Sequence, residues 1–193
     1  MTRETPASIR DVYKQITHAH ILDTAEAIIC ETGEASVTIS SVAARARVSD
    51  RTVYRHFKTR DALVQSVWKR LPERVGPAST PRDGDELIET PILAFPRYDD
   101  QGDLLRAYLR RQAKRRGRAP SSEKRRKELL ECVRSELPSL DDNKLRRRAA
   151  IVELLISATA WDRLSRVWDF DGVDAGDAAA EALQVLLGRC PAQ

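Results

Sequence analysis

An all-α fold is predicted by three features of this 193-residue sequence. Apolar residues return every three to four positions along most of the chain, the spacing of one helix face. Ser, Thr or Asp stands in front of several of those runs, where a helix start needs a side-chain acceptor. No stretch alternates apolar and polar residues with the β-branched enrichment of a strand. Breakers then divide the chain: Gly33 stands alone among Gly and Pro between 7 and 71, and both types cluster in LPERVGPASTPRDGD (71–85). Two units are therefore expected, 1–71 and 72–193. The first is a three-helix head, joined by a linking helix to a C-terminal helical bundle.

In the head, ITHAHILDTAEAIICETG (16–33) carries one apolar stripe, Ile21, Leu22, Ala25, Ile28 and Ile29, and Gly33 is placed to stop it. TISSVAARA (38–46) starts at Thr38 as N-cap and turns Ile39, Val42, Ala43 and Ala46 inward. After a break at Arg47-Val48, SDRTVYRHF (49–57) restarts on Ser49 and buries Val53 and Phe57. TRDALVQSVWKRL (59–71) follows, with Thr59 as N-cap and Asp61 in a first turn that favours an acid. Helices this short do not persist alone and must brace one another. Two short helices joined by a tight turn make a helix-turn-helix, in which Ala43 and Ala46 permit close approach.

The polar residues of that motif have no structural need behind them. With Val53 and Phe57 inward, Asp50, Arg51, Thr52, Tyr54 and Arg55 fall on outward or flanking faces. A recognition helix offers its N-terminal residues to base edges and anchors flanking side chains on phosphates. Arg51 suits a guanine bidentately, Thr52 a thymine methyl or a phosphate, and Asp50 a cytosine amino group. Tyr54, Arg55, His56 and Lys58 suit backbone contacts. The free amides at the start of 38–46, with Thr38 and Ser40 beside them, suit a phosphate.

From ILDTAEAIICETG through TISSVAARARVSDRTVYRHFKTRDALVQSVW the chain resembles the tetracycline-repressor (TetR) family of bacterial transcription regulators. An apolar first helix ending in Gly, then T-I-x-x-V-A-x-x-A, V-S-x-x-T-V-Y-x-x-F and K-x-x-x-A-L, occur in order and at the family's spacing. The resemblance implies that Thr38, Ser40, Asp50, Arg51, Thr52, Tyr54, His56 and Arg60 stand where such regulators touch DNA. Ser49 and Phe57 take capping and core roles. One departure is Arg47, where the family usually has Gly in the turn. A non-Gly residue at positive φ costs roughly 1 kcal/mol, and a phosphate contact by Arg47 is the expected compensation.

Beyond 71 the resemblance fades. DELIETPILAF (85–95), interrupted by Pro91, GDLLRAYLRRQAKRR (102–116) and SSEKRRKELLECVRSEL (121–137), with Ser121 as N-cap, read as helices. LDDNKLRRRAAIVELLISATAWDRLSRVWDF (140–170) is the longest helical pattern and is apolar on more than one side; DAGDAAAEALQVLLGR (174–189) follows it. A helix apolar all round needs two partners. An isologous homodimer through a four-helix bundle is therefore expected, with Leu154, Ala158, Trp161 and Leu164 from the first pattern and Leu183, Leu186 and Leu187 from the second at the interface. The Ala-rich last helix would admit a partner closely. The last two helices of TetR-like proteins serve this role, as the resemblance implies.

Other functions are excluded or outweighed. No run approaches the eighteen apolar residues of a membrane span, and the start has no secretory h-region. Cys30, Cys132 and Cys190 are odd in number and far apart, which fits neither a disulfide framework nor zinc and suits a reducing cytoplasm. DFDGVDAGD (169–177) lacks the acid spacing of a calcium loop, and His18 and His20 face different ways on a helix, so no metal and no cofactor is expected. No catalytic or nucleotide-binding signature occurs, so no enzyme is expected. Between 110 and 127 stand ten Lys and Arg against Glu123 alone, read as a solvated face.

The expected function is a dimeric, small-molecule-responsive repressor on a palindromic double-stranded DNA operator, the repressor action and ligand response coming from the resemblance. Its rivals are a regulator that activates or has no ligand, and a helical module using 110–127 on acidic protein or RNA. Pocket residues would come from 85–95, 121–137 and 140–168, whose periodicity does not mark a cavity face.

Overall fold

The computed structural model describes residues 8–76, 80–114 and 120–189, the side chains of 120–122 excepted. Among them are ten α-helices, one 3-10 turn (Glu34–Ser36) and no strand. The helices are α1 (Ile9–Thr32), α2 (Ile39–Ala46), α3 (Asp50–His56), α4 (Arg60–Val75), α5 (Gly84–Asp99), α6 (Gly102–Lys114), α7 (Pro120–Glu136), α8 (Asp142–Leu155), α9 (Ala158–Trp168) and α10 (Gly172–Leu186). The chain divides into two compact units, one ending at Leu71 and the other beginning at Pro72.

The head is held by caps and a small core. Gly33, at φ 92°, gives its N–H to the Ile29 carbonyl (3.0 Å) and closes α1. Thr38 and Ser41 form a reciprocal capping box at α2: the Thr38 hydroxyl accepts from the Ser41 amide (3.0 Å) and the Ser41 hydroxyl from the Thr38 amide (2.9 Å). Ser49 caps α3 through the Thr52 amide (3.1 Å), and Thr59 accepts from the Ala62 amide (3.0 Å) at α4. Ile21, Ala25, Ile29, Val42, Ala46, Val53, Phe57 and Leu63 are buried together, which fixes the angle between α2 and α3.

Two boundaries differ from expectation. α1 begins at Ile9 rather than 16, where the Ser8 hydroxyl accepts from the Arg10 amide (3.3 Å). Its first turns turn no apolar residue toward the core, so the core stripe could not mark them. α4 continues through Pro72 to Val75.

In the second unit, α5 also runs on through its prolines, Pro91 and Pro96, each removing one backbone rung without ending the helix. Against this stretch α10 lies at backbone distance. A Cβ on Gly176 would come within 2.9 Å of the Pro91 carbonyl oxygen, and one on Gly172 within 2.5 Å of that of Phe95. The small residues of α10, Gly172, Ala175, Gly176 and Ala179, are thus buried within their own chain, which corrects the expectation that they admit a partner. The pattern over 140–170 is two helices, because Ile156 ends α8 and the Ser157 hydroxyl accepts from the Ala160 amide (3.3 Å) to start α9. Asp171, accepting from the amides of Val173 and Asp174 (2.9 Å each), caps α10.

This packing corrects three expected interface residues. Trp161 is 0% exposed and gives its indole N–H to Asp99 (2.7 Å); Leu183 and Leu187 lie in the core with Leu87, Leu129, Val133 and Val152. They are internal to one protomer. Leu154 is exposed, while Ala158, Leu164 and Leu186 are half-buried. The side chain of Ser121, expected as a cap, and Cys190 lie outside what is described.

Candidate nucleic-acid interface

α3 is seven residues long and its identity is set by what it cannot expose. Val53 and Phe57 point into the head, and the helical period then leaves Arg51, Tyr54 and Arg55 on the open face. Thr52 is half-buried, its hydroxyl 2.9 Å from that of Ser49. Lys58 is exposed just past the helix. At the turn, Arg47 is exposed and left-handed (φ 54°, ψ 41°), with its N–H on the Ala43 and Ala44 carbonyls. The expected strain at this position is therefore present. Thr38 is exposed at the start of α2, where the first amides of the helix make an anion-favouring end.

Three expected DNA contacts have other partners. Ser40 donates to the Asp50 carboxylate (2.7 Å), so these two residues tie α2 to α3 and satisfy each other. Arg51 is left exposed at the start of α3. Arg60 is held inside the head: its Nε donates to the Val37 carbonyl (2.8 Å), its terminal nitrogens to the Glu34 carbonyl (2.7 Å) and to Asp61 (3.2 Å). It clamps the segment before α2 and is not free to reach a phosphate.

His56 faces α1, not outward. Its ring lies 5.7 Å from that of His18, which stacks on Phe57 at 4.6 Å. With Asp11, Lys14 and Gln15 the two histidines line a groove of about 350 Å³, and the buried Nε2 of His56 has no hydrogen-bond partner among the described residues. Burial holds the His56 pKa below its ordinary value, with the charges of His18, Arg55 and Lys14 adding to the effect. A neutral, inward ring makes no backbone contact. The extra turns of α1 build this groove, so a helix starting at 16 gave no sign of it.

The second unit holds an open groove of about 630 Å³ lined by Thr80, Pro81, Arg82, Glu128, Glu131, Cys132 and Ser135. Its size falls in the usual range for small-molecule sites. Thr80 donates to Glu128 (2.8 Å), and burial pushes the Cys132 thiol up to about 11, so it is not a nucleophile at neutral pH. Of the basic segment 110–127, Arg115, Arg116 and Arg118 lie outside the described residues, and Lys124 and Lys127 sit one turn from Glu128 and Glu123 (3.6 and 3.9 Å). Among the described residues no cluster of three metal-ligating side chains occurs, and no helix is long and apolar enough to cross a membrane.

Residues 21–67, which contain this interface, match the family model described as bacterial regulatory proteins, tetR family. Among curated proteins no sequence matches the chain. Among solved structures, NalD, the secondary repressor of the MexAB-OprM multidrug efflux pump in Pseudomonas aeruginosa, is similar at 19% identity and a TM-score of 0.52, over 92% of this chain and 96% of NalD. A putative fatty acid metabolism regulator of Clostridium perfringens is similar at 15% identity and a TM-score of 0.52, over 90% of this chain and all (100%) of that one. At such identities the likeness is one of fold.

Proposed function

We propose, from the match of residues 21–67 to the model of bacterial regulatory proteins of the tetR family, that this chain is a ligand-responsive transcription repressor acting as a homodimer on a palindromic operator. One observation carries the reading: α3 buries Val53 and Phe57 and leaves Arg51, Tyr54 and Arg55 bare, on the second helix of a helix-turn-helix. In this mechanism the start of α3 enters the major groove and Arg51 takes a guanine edge, with Thr52 beside it. Arg47, Tyr54, Arg55 and Lys58 neutralise or bond phosphates, and Thr38 with the α2 amides holds another. Asp50, held by Ser40, positions α3 and reads no base.

One head covers only a half-site, so a palindrome calls for two copies related by a two-fold axis. Among the apolar residues that the second unit leaves exposed, Ile151 and Leu154 on α8, Val167 and Trp168 on α9 and Val173 and Val185 on α10 are the ones for a partner to cover. The effector is a small molecule seated in the Thr80–Ser135 groove, and it acts only by preferring one arrangement of the dimer over another. NalD, a repressor, supports repression here, and the clostridial regulator supports a regulatory role. Such a protein works in the cytoplasm, where its operator is.

Selection from pooled random duplexes at modest salt tests the reading. The wild type is expected to enrich one palindromic sequence, and Arg51→Ala with Thr52→Ala to lose at least about 100-fold in affinity for it. No enrichment over competitor, or no loss in the double variant, would overturn the proposal. Loss caused instead by neutralising 110–127 would favour a basic-segment module.

A further inference from the structure

The first two turns of α1 carry a second apolar stripe that no described residue of the head covers. Ile9, Val12, Tyr13 and Ile16 recur at i, i+3, i+4 and i+7 and are 76, 43, 67 and 59% exposed. At the helical period they lie about half a turn round α1 from Ile21, Leu22, Ala25, Ile28 and Ile29, which fill the core. A single exposed apolar side chain is ordinary. Four in one stripe on a capped helix mark a contact surface.

We propose that this stripe docks on the same stripe of a second copy when two copies stand side by side on DNA, so that operator sites fill cooperatively. The inference rests on the DNA-binding reading above. Size decides against association in free solution: four such side chains offer on the order of 400 Å², about half of what each partner of a stable complex buries. A contact that small becomes effective when a duplex holds both copies at high effective concentration.

The pattern selects a second copy as occupant. Laid antiparallel about a two-fold axis between Val12 and Tyr13, the stripe sets Ile9 against Ile16 and Val12 against Tyr13, in both directions, as an isologous contact requires. Arg10, at one rim, falls beside Thr17 of the other copy, so no like charges meet. The stripe itself has no charge and offers nothing to a phosphate or an acidic partner. Its place serves the same end. Two residues past Ile16, the His18 ring lies 5.7 Å from His56 at the end of α3, so the stripe sits on the DNA-reading unit itself.

The experiment uses the full chain and the duplex that the wild type selects, presented as one site and as two adjacent sites whose spacing is varied in single base pairs over a helical turn. At one spacing the second copy is expected to bind roughly tenfold tighter than the first. Tyr13→Ser with Ile16→Ser removes that gain and leaves single-site affinity unchanged. Ile9→Glu alone and Ile16→Lys alone also remove it, and the two combined in one chain restore it, because each acid meets the base of the other copy. Independent filling at every spacing, a gain that survives the serine variant, or no restoration by the I9E/I16K pair overturns the proposal. So does a fall in single-site affinity in the serine variant, which would put the stripe on DNA. A wild type that selects no duplex at all overturns the parent reading together with this one.

Discussion

The head and the second unit use apolar residues in opposite ways. In the head, α2 and α3 are eight and seven residues long, and each buries one face. The aliphatic side chains Ile39, Val42 and Val53 of these two helices all go to the core, so the polar ones left over mark the candidate working surface. In the second unit α8, α9 and α10 are apolar on more than one side, and a residue can belong to its own core or to an outer face. The two tryptophans of α9 show the choice: Trp161 is 0% exposed and Trp168 is 67% exposed. Periodicity alone treats them alike, since they are seven residues and nearly two turns apart.

Substituting them separately gives the sharpest test of that contrast. Trp161 donates to Asp99 at 2.7 Å, lies under the Arg106 guanidinium at 4.8 Å and meets the edge of Tyr98. Trp161→Ala is expected to cost about 3–5 kcal/mol, read as a large fall in the thermal or denaturant midpoint. Trp168→Ala is expected to leave the stability of the single chain nearly unchanged and to weaken the proposed dimer by about 2 kcal/mol, roughly 30-fold in dissociation constant by ultracentrifugation. A stable monomeric Trp161→Ala chain, or a Trp168→Ala dimer as tight as the wild type, breaks the distinction.

The next effect concerns how α10 meets α5. Gly176→Leu must push a side chain into space where a Cβ already comes within 2.9 Å of the Pro91 carbonyl oxygen and 3.1 Å of the Ile92 Cα. Backbone cannot yield as a side-chain tip can. A loss of about 1–3 kcal/mol is expected, measured by urea unfolding. A silent Gly176→Leu would mean that α10 keeps its small face for a partner after all.

What could be read from the chain in advance follows the same line. The caps Thr38, Ser49 and Thr59 and the plugs Val53 and Phe57 were legible because local chemistry dictates them. The break at Ser157 was not, because a mid-pattern Ser is a cap or a tolerated polar residue depending on packing that no local rule contains. The early start of α1 was hidden because its apolar residues face away from the core. At the site, Arg51, Tyr54 and Arg55 were legible as outward. The capture of Asp50 by Ser40, of Arg60 by two carbonyls and of His56 by α1 was not, since each depends on a partner from another element.

His56 also separates the two units by pH, because all three histidines, His18, His20 and His56, lie in the head. Burial, then the charges of His18, Arg55 and Lys14, lower its folded pKa; Asp11 is the acid lining the same groove. The folded pKa is below the unfolded one, so the unfolded chain takes the proton first as pH falls. The stability from this site is full above the ordinary histidine pKa of about 6.5 and is lost as pH drops from there through the folded value. Thermal unfolding followed between pH 7.5 and 5 is expected to show the head weakening, and His56→Gln to flatten the change. An equal slope in the variant would remove His56 as its source.

The smallest effect expected is at Arg47, and it is informative because two properties move in opposite directions. The residue is left-handed, at φ 54°, in the turn between α2 and α3, a conformation that glycine adopts without the clash of a Cβ. Arg47→Gly therefore relieves strain, while the looser glycine adds entropy to the unfolded chain. The balance favours the variant by at most about 1 kcal/mol, a rise of a few degrees in midpoint. If the guanidinium meets a phosphate, the same change weakens DNA binding at every sequence alike and lowers the salt slope by about one counterion. A stability gain without loss of affinity would leave the strained turn without a function. A loss of affinity confined to some sequences would make Arg47 a base reader, and the working edge of the head would then extend from α3 into the turn before it.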